Sequence, residues 1–474
     1  MATQEVLTDS TNVAAAEQPT APPVATPQAW TPLGRIGFRI AFLYFVCFLA
    51  FFGNGTIFNI FPVVGDWVYN GLMWAPLHAT EWAAQHVFHL TGKAAHWQPT
   101  GSGDATMNWI LNGLFVVVTL GGGLVWTLAA ALRGNRRKEY ATMYAWLRFL
   151  LRLTCGYFML QYGFAKIFPL QMPPPSIGIL NEPVGNLSPM TMLWAMIGLH
   201  PAYEIVCGLA EAIGGALILF RRTALAGALI SSFVMTNVLL YNMFFDVPVK
   251  LFAANLLLAC LFLAVPDLRA LFDFFWLHKA SAPVAVWMPP AQRRWYRITL
   301  RTVEIIFTFG LLILVPYFIG MGWKQNVAAM RTPSPLLGAW HLDAAHPASG
   351  AFITGDGAPA SDLYVDTVKR AFTRSVDGEL WRTGLHIDAK AHTIAVHPYG
   401  GDTVKYAWQM PDGQHVVLTT IAPEPPKAAK DKAPSKPAPP FTPQVISFTR
   451  TPVMAHYPLL ERGFHWVNQW GYER

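Results

Sequence analysis

The sequence predicts an all-α polytopic membrane helix bundle followed by a small antiparallel β domain. Of the 474 residues, 53% are hydrophobic and only 13% are charged, and the mean hydropathy is +0.33. A soluble domain has about twice that charged share. Long apolar segments recur as far as residue 321, and beyond residue 332 the hydrophobic pattern changes to period two. This composition excludes an ordinary cytosolic enzyme, and the 14% of aromatic residues exclude a fully disordered chain.

Seven apolar segments are each long enough to cross the hydrocarbon core of a bilayer, which takes about 20 helical residues. They cover residues 36–61, 107–132, 146–168, 192–220, 223–245, 251–275 and 298–321. Arginine and lysine are concentrated in alternate connections, and such positive loops stay in the cytoplasm. The net charge of +7 therefore reports orientation rather than nucleic-acid binding. We expect a bacterial inner-membrane (plasma-membrane) protein with a cytoplasmic N-terminus and an extracytoplasmic, periplasmic C-terminal domain.

The composition divides the chain into three parts. Residues 1–33, rich in Ala, Pro and Thr, are expected to form a disordered cytoplasmic tail. Residues 34–325 form the transmembrane domain, and residues 332–474 form the β domain with a disordered insertion at 423–440. The predicted strands, which alternate apolar and polar residues, are 338–342, 384–388, 393–396, 406–408, 415–418 and 444–449. The pattern predicts an antiparallel sheet, which can close into a barrel.

The loop at residues 62–106 contains a semi-apolar helical stretch, which we expect along the extracytoplasmic interface. Within it, His78, Glu81, His86 and His89 can share a helical face, and such side chains can bind a metal. We favour the alternative of a solvated face whose histidines only form hydrogen bonds, so no metal site is assigned. At the end of the loop, Asp104 is expected to cap the second apolar segment.

Ionisable groups inside a membrane are costly unless they pair or face a cavity, so each is a candidate site residue. The third segment carries Arg152 and Lys166 on one helical face, with Tyr162 one turn before Lys166. The fourth segment carries Glu204 and Glu211 on one stripe and runs antiparallel to the third. Matching their depths predicts two ion pairs, Arg152 with Glu211 and Lys166 with Glu204.

Further polar residues extend this set into a predicted cleft that opens outward. They are Gln161, His200, Asn237, Tyr241, Asn242, Lys250 and Asn255. The candidate ligand-binding residues are Lys166, Glu204, Glu211, Tyr162, Gln161, His200 and Asn237; no catalytic residue is assigned. The alternative is structural, because buried ion pairs can lock helices together and Lys166 can extend its ammonium group to the interface.

Two stretches resemble the DoxX-like (DoxX/MauE-type) membrane protein family. The first, GYFMLQYGFAKIFP at residues 156–169, ends a segment with Gly-x-x-Lys; the second, GLAEAIGGAL at 208–217, has a Glu followed by paired glycines. The resemblance covers residues 146–275. It implies a four-helix core, with Lys166 and Glu211 as the family residues. Some members are small subunits of quinone-linked oxidoreductases. In the β domain, Gly338-x-Trp340 is similar to the opening strand of lipocalin-type barrels.

We therefore expect a DoxX-like protein of the cell envelope that binds a quinone or other amphiphile as part of a redox system. The sequence has no residue set for an electron carrier, so a redox role requires a cofactor or a redox partner subunit. Whether the chain is an enzyme stays open. The alternative is a non-enzymatic ligand-binding or assembly module whose β domain caps the membrane cleft. A carrier would need broken helices, and Pro201 in the fourth segment is the sequence feature that suggests one.

Overall fold

The computed structural model describes most of the helical and β regions of the chain. The described residues are 30–51, 64–98, 102–134, 139–280, 293–343, 352, 359–397, 403–422, 441–454 and 456–461. The predicted tail at 1–33, apart from residues 30–33, and the predicted insertion at 423–440 lie outside them.

Helices form most of the described chain as far as Arg331, and one short helix follows the strands. They are α1 (Pro32–Phe51), α2 (Val64–His86), α3 (Thr106–Leu132), α4 (Ala141–Ile167), α5 (Ile177–Leu180), α6 (Pro189–Gly198), α7 (Pro201–Leu219), α8 (Ala224–Phe244), α9 (Lys250–Ala264), α10 (Leu268–Phe275), α11 (Arg294–Arg331) and α12 (Pro458–Glu461).

Six stretches of helix in the described chain are long and apolar enough to cross a membrane. They are α1, α3, α7, α8, the continuous stretch Lys250–Phe275 and residues Arg294–Val327 of α11. The prediction of a helical membrane domain is thereby confirmed. Helix α4 coincides with the predicted segment 146–168 and has 27 residues, but it carries Arg148, Arg152 and Lys166. It packs against α1, α7, α9 and α11, so its charged side chains face protein rather than lipid.

The predicted continuous segment 192–220 is wrong, because the structure breaks it between α6 and α7. Helix α6 ends at Gly198, and α7 begins at Pro201. A proline fits the first turn of a helix but disfavours helical geometry in the residue before it. His200 accordingly has a non-helical backbone, with φ −125° and ψ 84°. The break lets the chain turn where the sequence alone suggested one long crossing.

Asp104 caps a different helix from the predicted one. Its carboxylate accepts hydrogen bonds from the backbone N–H groups of Lys250 (2.6 Å) and Leu251 (3.0 Å), at the start of α9. Helix α3 follows Asp104 directly in sequence, but its N-cap is Ala105, which makes no side-chain cap. A carboxylate at a helix N-terminus satisfies unpaired N–H groups wherever the fold presents them. Here the tertiary structure presents α9.

The pairing of α4 with α7 brings the intramembrane charges together. Gly163 of α4 lies so close to α7 that an added Cβ would stand 2.7 Å from the backbone nitrogen of Ala212. On the facing side, a Cβ added to Gly208 of α7 would stand 2.8 Å from the Cβ of Lys166 of α4. Small residues at such points let two helix backbones approach closely. They therefore fix the register of the two antiparallel helices.

Strands between residues 333 and 451 form a closed antiparallel β-barrel, which confirms the predicted β domain. Each strand pairs with the next, and the last pairs with the first. The strands are β1 (Pro333–Leu342), β2 (Ala360–Thr367), β3 (Arg370–Ser375), β4 (Leu380–Asp388), β5 (Thr393–His397), β6 (Val404–Gln409), β7 (His415–Thr420) and β8 (Val445–Thr451). The sequence prediction missed β2 and β3. Closure removes the exposed sheet edges that an open sheet would present.

Apolar side chains fill the barrel interior. The fully buried ones include Trp340, Tyr406 and Phe448. The Trp340 indole N–H donates to the carbonyl of Leu336 (2.8 Å), and the Arg450 guanidinium lies 5.5 Å from the Trp340 ring centre. A buried indole needs such a partner because its unpaired N–H would be costly.

Candidate functional site

Lys166 and Glu211 form a buried ion pair between α4 and α7. The Lys166 Nζ donates to both carboxylate oxygens of Glu211, each at 2.8 Å. The two residues are 4% and 2% exposed. The Tyr162 ring centre lies 6.0 Å from the ammonium group. A charge in an apolar environment is tolerated only with such a partner, so this pair satisfies two of the intramembrane charges.

The predicted ion pairs, Arg152 with Glu211 and Lys166 with Glu204, are wrong. The reason is the direction in which helical side chains lean, which is toward the N-terminus of their own helix. Because α4 and α7 are antiparallel, Lys166 leans back toward Gly163, beside which Glu211 emerges. Glu204 leans the other way, toward the start of α7. Depth counted from Cα positions alone therefore assigned each charge to the wrong partner.

Arg152 instead closes the other end of the α4–α7 pair. It donates to the carbonyl oxygens of Ile218 (3.0 Å) and Leu219 at the end of α7, and its Nη1 lies 3.1 Å from Glu304 of α11. Glu304 also pairs with Arg221. Carbonyl groups at a helix C-terminus lack intrahelical donors and attract cations. This group locks three elements together and lies away from Lys166.

Glu304 was missed by the sequence analysis, although a usable signal was present. It is an acidic residue inside the predicted segment 298–321, and an intramembrane acid always requires a partner. Applying that rule to the seventh segment would have offered Glu304 as a partner for Arg152.

Glu204 and Asn242 are buried polar residues whose hydrogen bonding is incomplete. Both are 0% exposed. Glu204 Oε1 accepts from the backbone N–H of Met172 (3.0 Å), but its Oε2 has no partner within the described structure. Neither amide atom of Asn242 has one there. An unpaired buried polar atom costs about 1–3 kcal/mol, so these atoms keep an unused capacity to form hydrogen bonds.

The packing of α7 against α8 places these two residues near each other. Gly227 of α8 lies against Ile218, and Gly214 of α7 lies against Ser231. Continuing this antiparallel register puts Asn242 within about one helical turn of Glu204. Asn242 follows Ser231 by eleven residues, close to three turns, so both occupy the α7-facing side of α8. We call Tyr162, Lys166, Glu204, Glu211 and Asn242 the polar cluster.

The other predicted ligand-binding residues lie outside the polar cluster. Gln161 is half-buried on α4, about half a turn around the helix from Lys166. His200 is exposed at the break before α7, and Asn237 is exposed on α8. The structure therefore brings together four of the seven predicted residues, Tyr162, Lys166, Glu204 and Glu211.

Two further residues of the predicted cleft have separate partners. Lys250 pairs with Asp246 at 2.7 Å. Asn255 accepts a hydrogen bond from the Tyr44 hydroxyl (2.5 Å) and donates to the carbonyl of Leu251 (2.8 Å). Their hydrogen bonds join α9 to its neighbours rather than to the polar cluster.

The loop histidines mostly contact their own helix, α2. His78 and His86 each place Nδ1 beside the backbone carbonyl one turn earlier, at 2.7 and 2.9 Å. Glu81 lies 3.4 Å from His96, and His89 is exposed. Across the residues that the structure describes, no group of three or more His, Cys, Asp or Glu side chains is arranged to hold a metal ion.

Residues 171–182, here called the proline strap, connect the polar cluster to the barrel. The strap contains Pro173, Pro174 and Pro175 in succession. At one end Met172 holds Glu204. At the other end Glu182 pairs with Arg374 of β3, with Nη2 and Oε2 2.6 Å apart. The barrel is thus attached to the helical domain by specific contacts as well as by the chain itself.

The fold and the polar cluster together define a helical membrane protein that carries a closed β-barrel domain. A comparison with curated proteins finds an uncharacterized protein of Bacillus subtilis (strain 168), YwoB, that is 28% identical over 148 residues. This alignment covers 30% of the present chain and 90% of YwoB. No protein-family model and no solved structure matches the chain.

Proposed function

We propose that this chain is a DoxX-like protein of the bacterial inner membrane that binds a quinone or other amphiphilic small molecule in the polar cluster, as part of a redox system. One observation supports the binding role above all others. Glu204 Oε2 and the Asn242 amide are fully buried and have no hydrogen-bond partner among the residues that the structure describes, beside a Lys166–Glu211 pair that is already satisfied. A small molecule with both donor and acceptor atoms would supply the missing hydrogen bonds.

The proposal includes seven membrane crossings. Helix α4 is the seventh, because it is long enough to span and its charges have protein partners. With seven crossings the arginine-rich connections fall on one side, so the N-terminus is cytoplasmic and the barrel is extracytoplasmic. The closed eight-stranded barrel and the buried Trp340 also support a lipocalin-like form for this domain.

A quinone suits the cluster chemically. Its carbonyl oxygen can accept a hydrogen bond from the Asn242 amide, its reduced quinol form can donate a hydroxyl to Glu204 Oε2, and its ring can lie against aromatic side chains. Phe252 of α9 packs at 4.7 Å from Phe158 and 6.0 Å from Tyr162, measured between ring centres. These side chains hold no electron carrier, so electron transfer requires a redox partner subunit or a cofactor.

The alternative function is a non-enzymatic ligand-binding or assembly module in which the barrel caps the cleft. The attachment of the barrel to the strap, and of the strap to Glu204, favours this candidate. In that case the polar cluster would retain a lipid or another small molecule and present it to a partner.

The two candidates are separated by what copurifies with the protein. The full chain is purified in mild detergent, and its bound lipids are extracted and analysed for quinone by absorption spectroscopy and mass spectrometry. Bound quinone supports the first proposal. Phospholipid alone supports the second.

A matched pair of variants on α8 tests the site itself. Asn242→Leu removes the buried amide of the polar cluster, whereas Asn237→Leu makes the same change at an exposed position of the same helix. We expect Asn242→Leu to lose about tenfold or more of the bound molecule, as deletion of a buried hydrogen-bonding group does. Asn237→Leu should retain it. Equal retention by both variants would contradict the proposed site.

Lys166→Met tests whether the ion pair serves binding or folding. The substitution leaves the Glu211 carboxylate buried without its partner, which costs about 3–5 kcal/mol. Lys166→Met combined with Glu211→Gln removes both charges. If the double variant folds and still loses the ligand, the pair contributes to binding. If it folds and keeps the ligand, the pair is structural.

A further inference from the structure

The first end of the proline strap is fixed within the helical domain. Met172 is 2% exposed and donates its backbone N–H to Glu204 at 3.0 Å. Gly198, the last residue of α6, lies against the carbonyl oxygens of Met172 and Pro173, with room for no Cβ. The strap therefore begins in a tight contact with both α6 and α7, and that contact includes one oxygen of the polar cluster.

The second end of the strap is fixed to the outside of the barrel by polar contacts. The backbone N–H of Ile177 donates to Asp366 of β2 (2.8 Å), and Arg370 of β3 donates to the carbonyl of Pro174 (2.5 Å). Glu182, whose side chain is 1% exposed, pairs with Arg374 at 2.6 Å. Two hydrogen bonds between charged side chains of the barrel and the strap backbone, together with one ion pair, thus hold β2 and β3 against the strap.

Apolar packing reinforces this attachment. Ile177 and Ile179 pack on Tyr364 and Phe372, which project outward from β2 and β3. Gly178 lies between them and the barrel, where an added Cβ would stand 3.1 Å from the Cβ of Phe372. The absence of a side chain at this position lets the strap backbone approach the barrel surface.

The connection between the two ends is short and stiff. Met172, at the first end, precedes Ile177 by five residues, and three of the residues between are prolines. A proline run adopts an extended, semi-rigid conformation of about 3.1 Å per residue. A displacement of the barrel is therefore transmitted to Met172 instead of being absorbed by a flexible loop.

We propose that the proline strap couples the position of the β-barrel to the polar cluster, so that release of the barrel frees Glu204 and opens the binding site. The gating of a ligand rests on the proposed function, whereas the mechanical coupling rests only on the contacts above. A seated barrel holds Met172 on Glu204 and closes the site at the N-terminal end of α7. A released barrel withdraws Met172 and exposes the carboxylate.

The coupling is tested without ligand by hydrogen exchange of the full chain in detergent. Glu182→Arg places two cations together at the barrel contact and should release the strap. Lys390→Glu reverses a charge at an exposed position of the same barrel and is the control. We expect Glu182→Arg to speed exchange about tenfold or more both in the strap and in the first turns of α7. Faster exchange in the strap with an unchanged α7 would overturn the proposal, as would no change in either.

Replacing the three prolines tests the stiffness on which the coupling depends. Pro173→Gly, Pro174→Gly and Pro175→Gly together give a flexible connection while leaving the contacts at both ends in place. With Glu182→Arg added, the strap should exchange fast while α7 returns to the rate of the natural chain. If α7 still responds to Glu182→Arg, the prolines do not transmit the displacement and the proposal fails.

A reversible cross-link tests the gating of the site. Gly178→Cys with Phe372→Cys can form a disulfide once the strap backbone moves out by a few tenths of an ångström, because an added Cβ at 178 would stand 3.1 Å from the Cβ of residue 372. The probe is decylubiquinone, a short-chain quinone. Its release should be about tenfold slower from the oxidised than from the reduced protein. Equal release rates with the cross-link formed would overturn the gating. If decylubiquinone does not bind the natural chain at all, the proposed quinone function fails, while the exchange experiments decide the coupling.

Discussion

The two sides of the barrel differ in what covers their outward-facing residues. On β1–β3, Ala339, Tyr364 and Phe372 face outward, yet all three are buried by the strap and its neighbours; we call this side the docked wall. On β4–β8, buried residues alternate with exposed or partly exposed ones, and we call this side the free wall. Both walls enclose one apolar interior. A barrel strand thus shows a period of two only where its outer face meets solvent.

This difference explains which strands the sequence revealed. Strand β4 alternates cleanly, with buried Leu385 and Ile387 separated by exposed His386. The predicted strands include β1 and every strand of the free wall. Strands β2 and β3 were missed because their outward residues are also buried, so that Leu363, Tyr364 and Val365 form a continuous buried run. Loss of alternation is therefore itself a sign of a docking surface.

The largest expected effect comes from deleting a side chain of the docked wall. Phe372→Ala removes an outward ring that is 9% exposed. We expect it to destabilise the strap–barrel contact by about 3 kcal/mol, as for other buried phenylalanines. His386→Ala, at an exposed outward position of the free wall, should stay within about 0.5 kcal/mol. Thermal unfolding and hydrogen exchange of both variants measure the difference. Similar losses in the two would remove the distinction between the walls.

The next largest effect is expected from the loss of the Glu182–Arg374 ion pair between the strap and β3. Glu182→Ala leaves Arg374 with its weaker contact to Asp362, at 3.7 Å, so we expect a loss of about 2 kcal/mol. Glu379→Ala removes an exposed carboxylate from the turn between β3 and β4 and is the matched control. The opening free energy of the strap, obtained from hydrogen exchange, gives the comparison. An effect of Glu182→Ala no larger than that of Glu379→Ala would show that the pair does not hold the barrel.

The smallest effect is a difference in pH dependence between the walls. Burial raises the pKa of Asp366 in the docked wall. The docked state therefore binds a proton more readily than the released state, and docking should strengthen as the pH falls from neutral through that raised pKa. On the free wall, hydrogen bonds from His415 and from backbone N–H groups lower the pKa of Asp412. The hydrogen bonds of the ionised Asp412 carboxylate therefore stabilise the folded barrel at neutral pH. This stabilisation is lost as the pH falls through the lowered pKa of Asp412.

The pH dependence of docking can be measured by comparing the natural chain with Asp366→Asn, which removes the ionisable group from the docked wall. Strap opening is followed by hydrogen exchange between about pH 7 and about pH 4, across the carboxyl range, after correction for the chemical exchange rate. The natural chain should gain docking stability relative to the variant as the pH falls. A parallel pH profile for the two proteins would show that Asp366 does not titrate at this contact.

The candidate site could be predicted from the sequence only in part. The rule that intramembrane charges need partners predicted that Lys166 and Glu211 are each paired, and the structure pairs them with each other. The rule could not assign their pairing, because the lean of each side chain shifts its charged group by about one turn from its Cα. The sequence identifies Asn242 as a polar residue of the predicted cleft, but only the packing of α8 shows that its amide has no hydrogen-bond partner in the described part of the chain. Asp104 was identified as a cap, and the fold gave it α9 instead of α3.

The sequence by itself determined which segments are apolar enough for a membrane and which strands have one solvent-exposed face. It also determined which ionisable residues lie inside apolar segments. These are properties of single residues and short periods, and solvation acts on them locally. The tertiary structure alone decided that Lys166 meets Glu211, that Arg152 meets Glu304, and that the strap joins Glu204 to the docked wall. Contacts between distant residues depend on helix register and side-chain direction to within a few ångströms, and no local pattern encodes that.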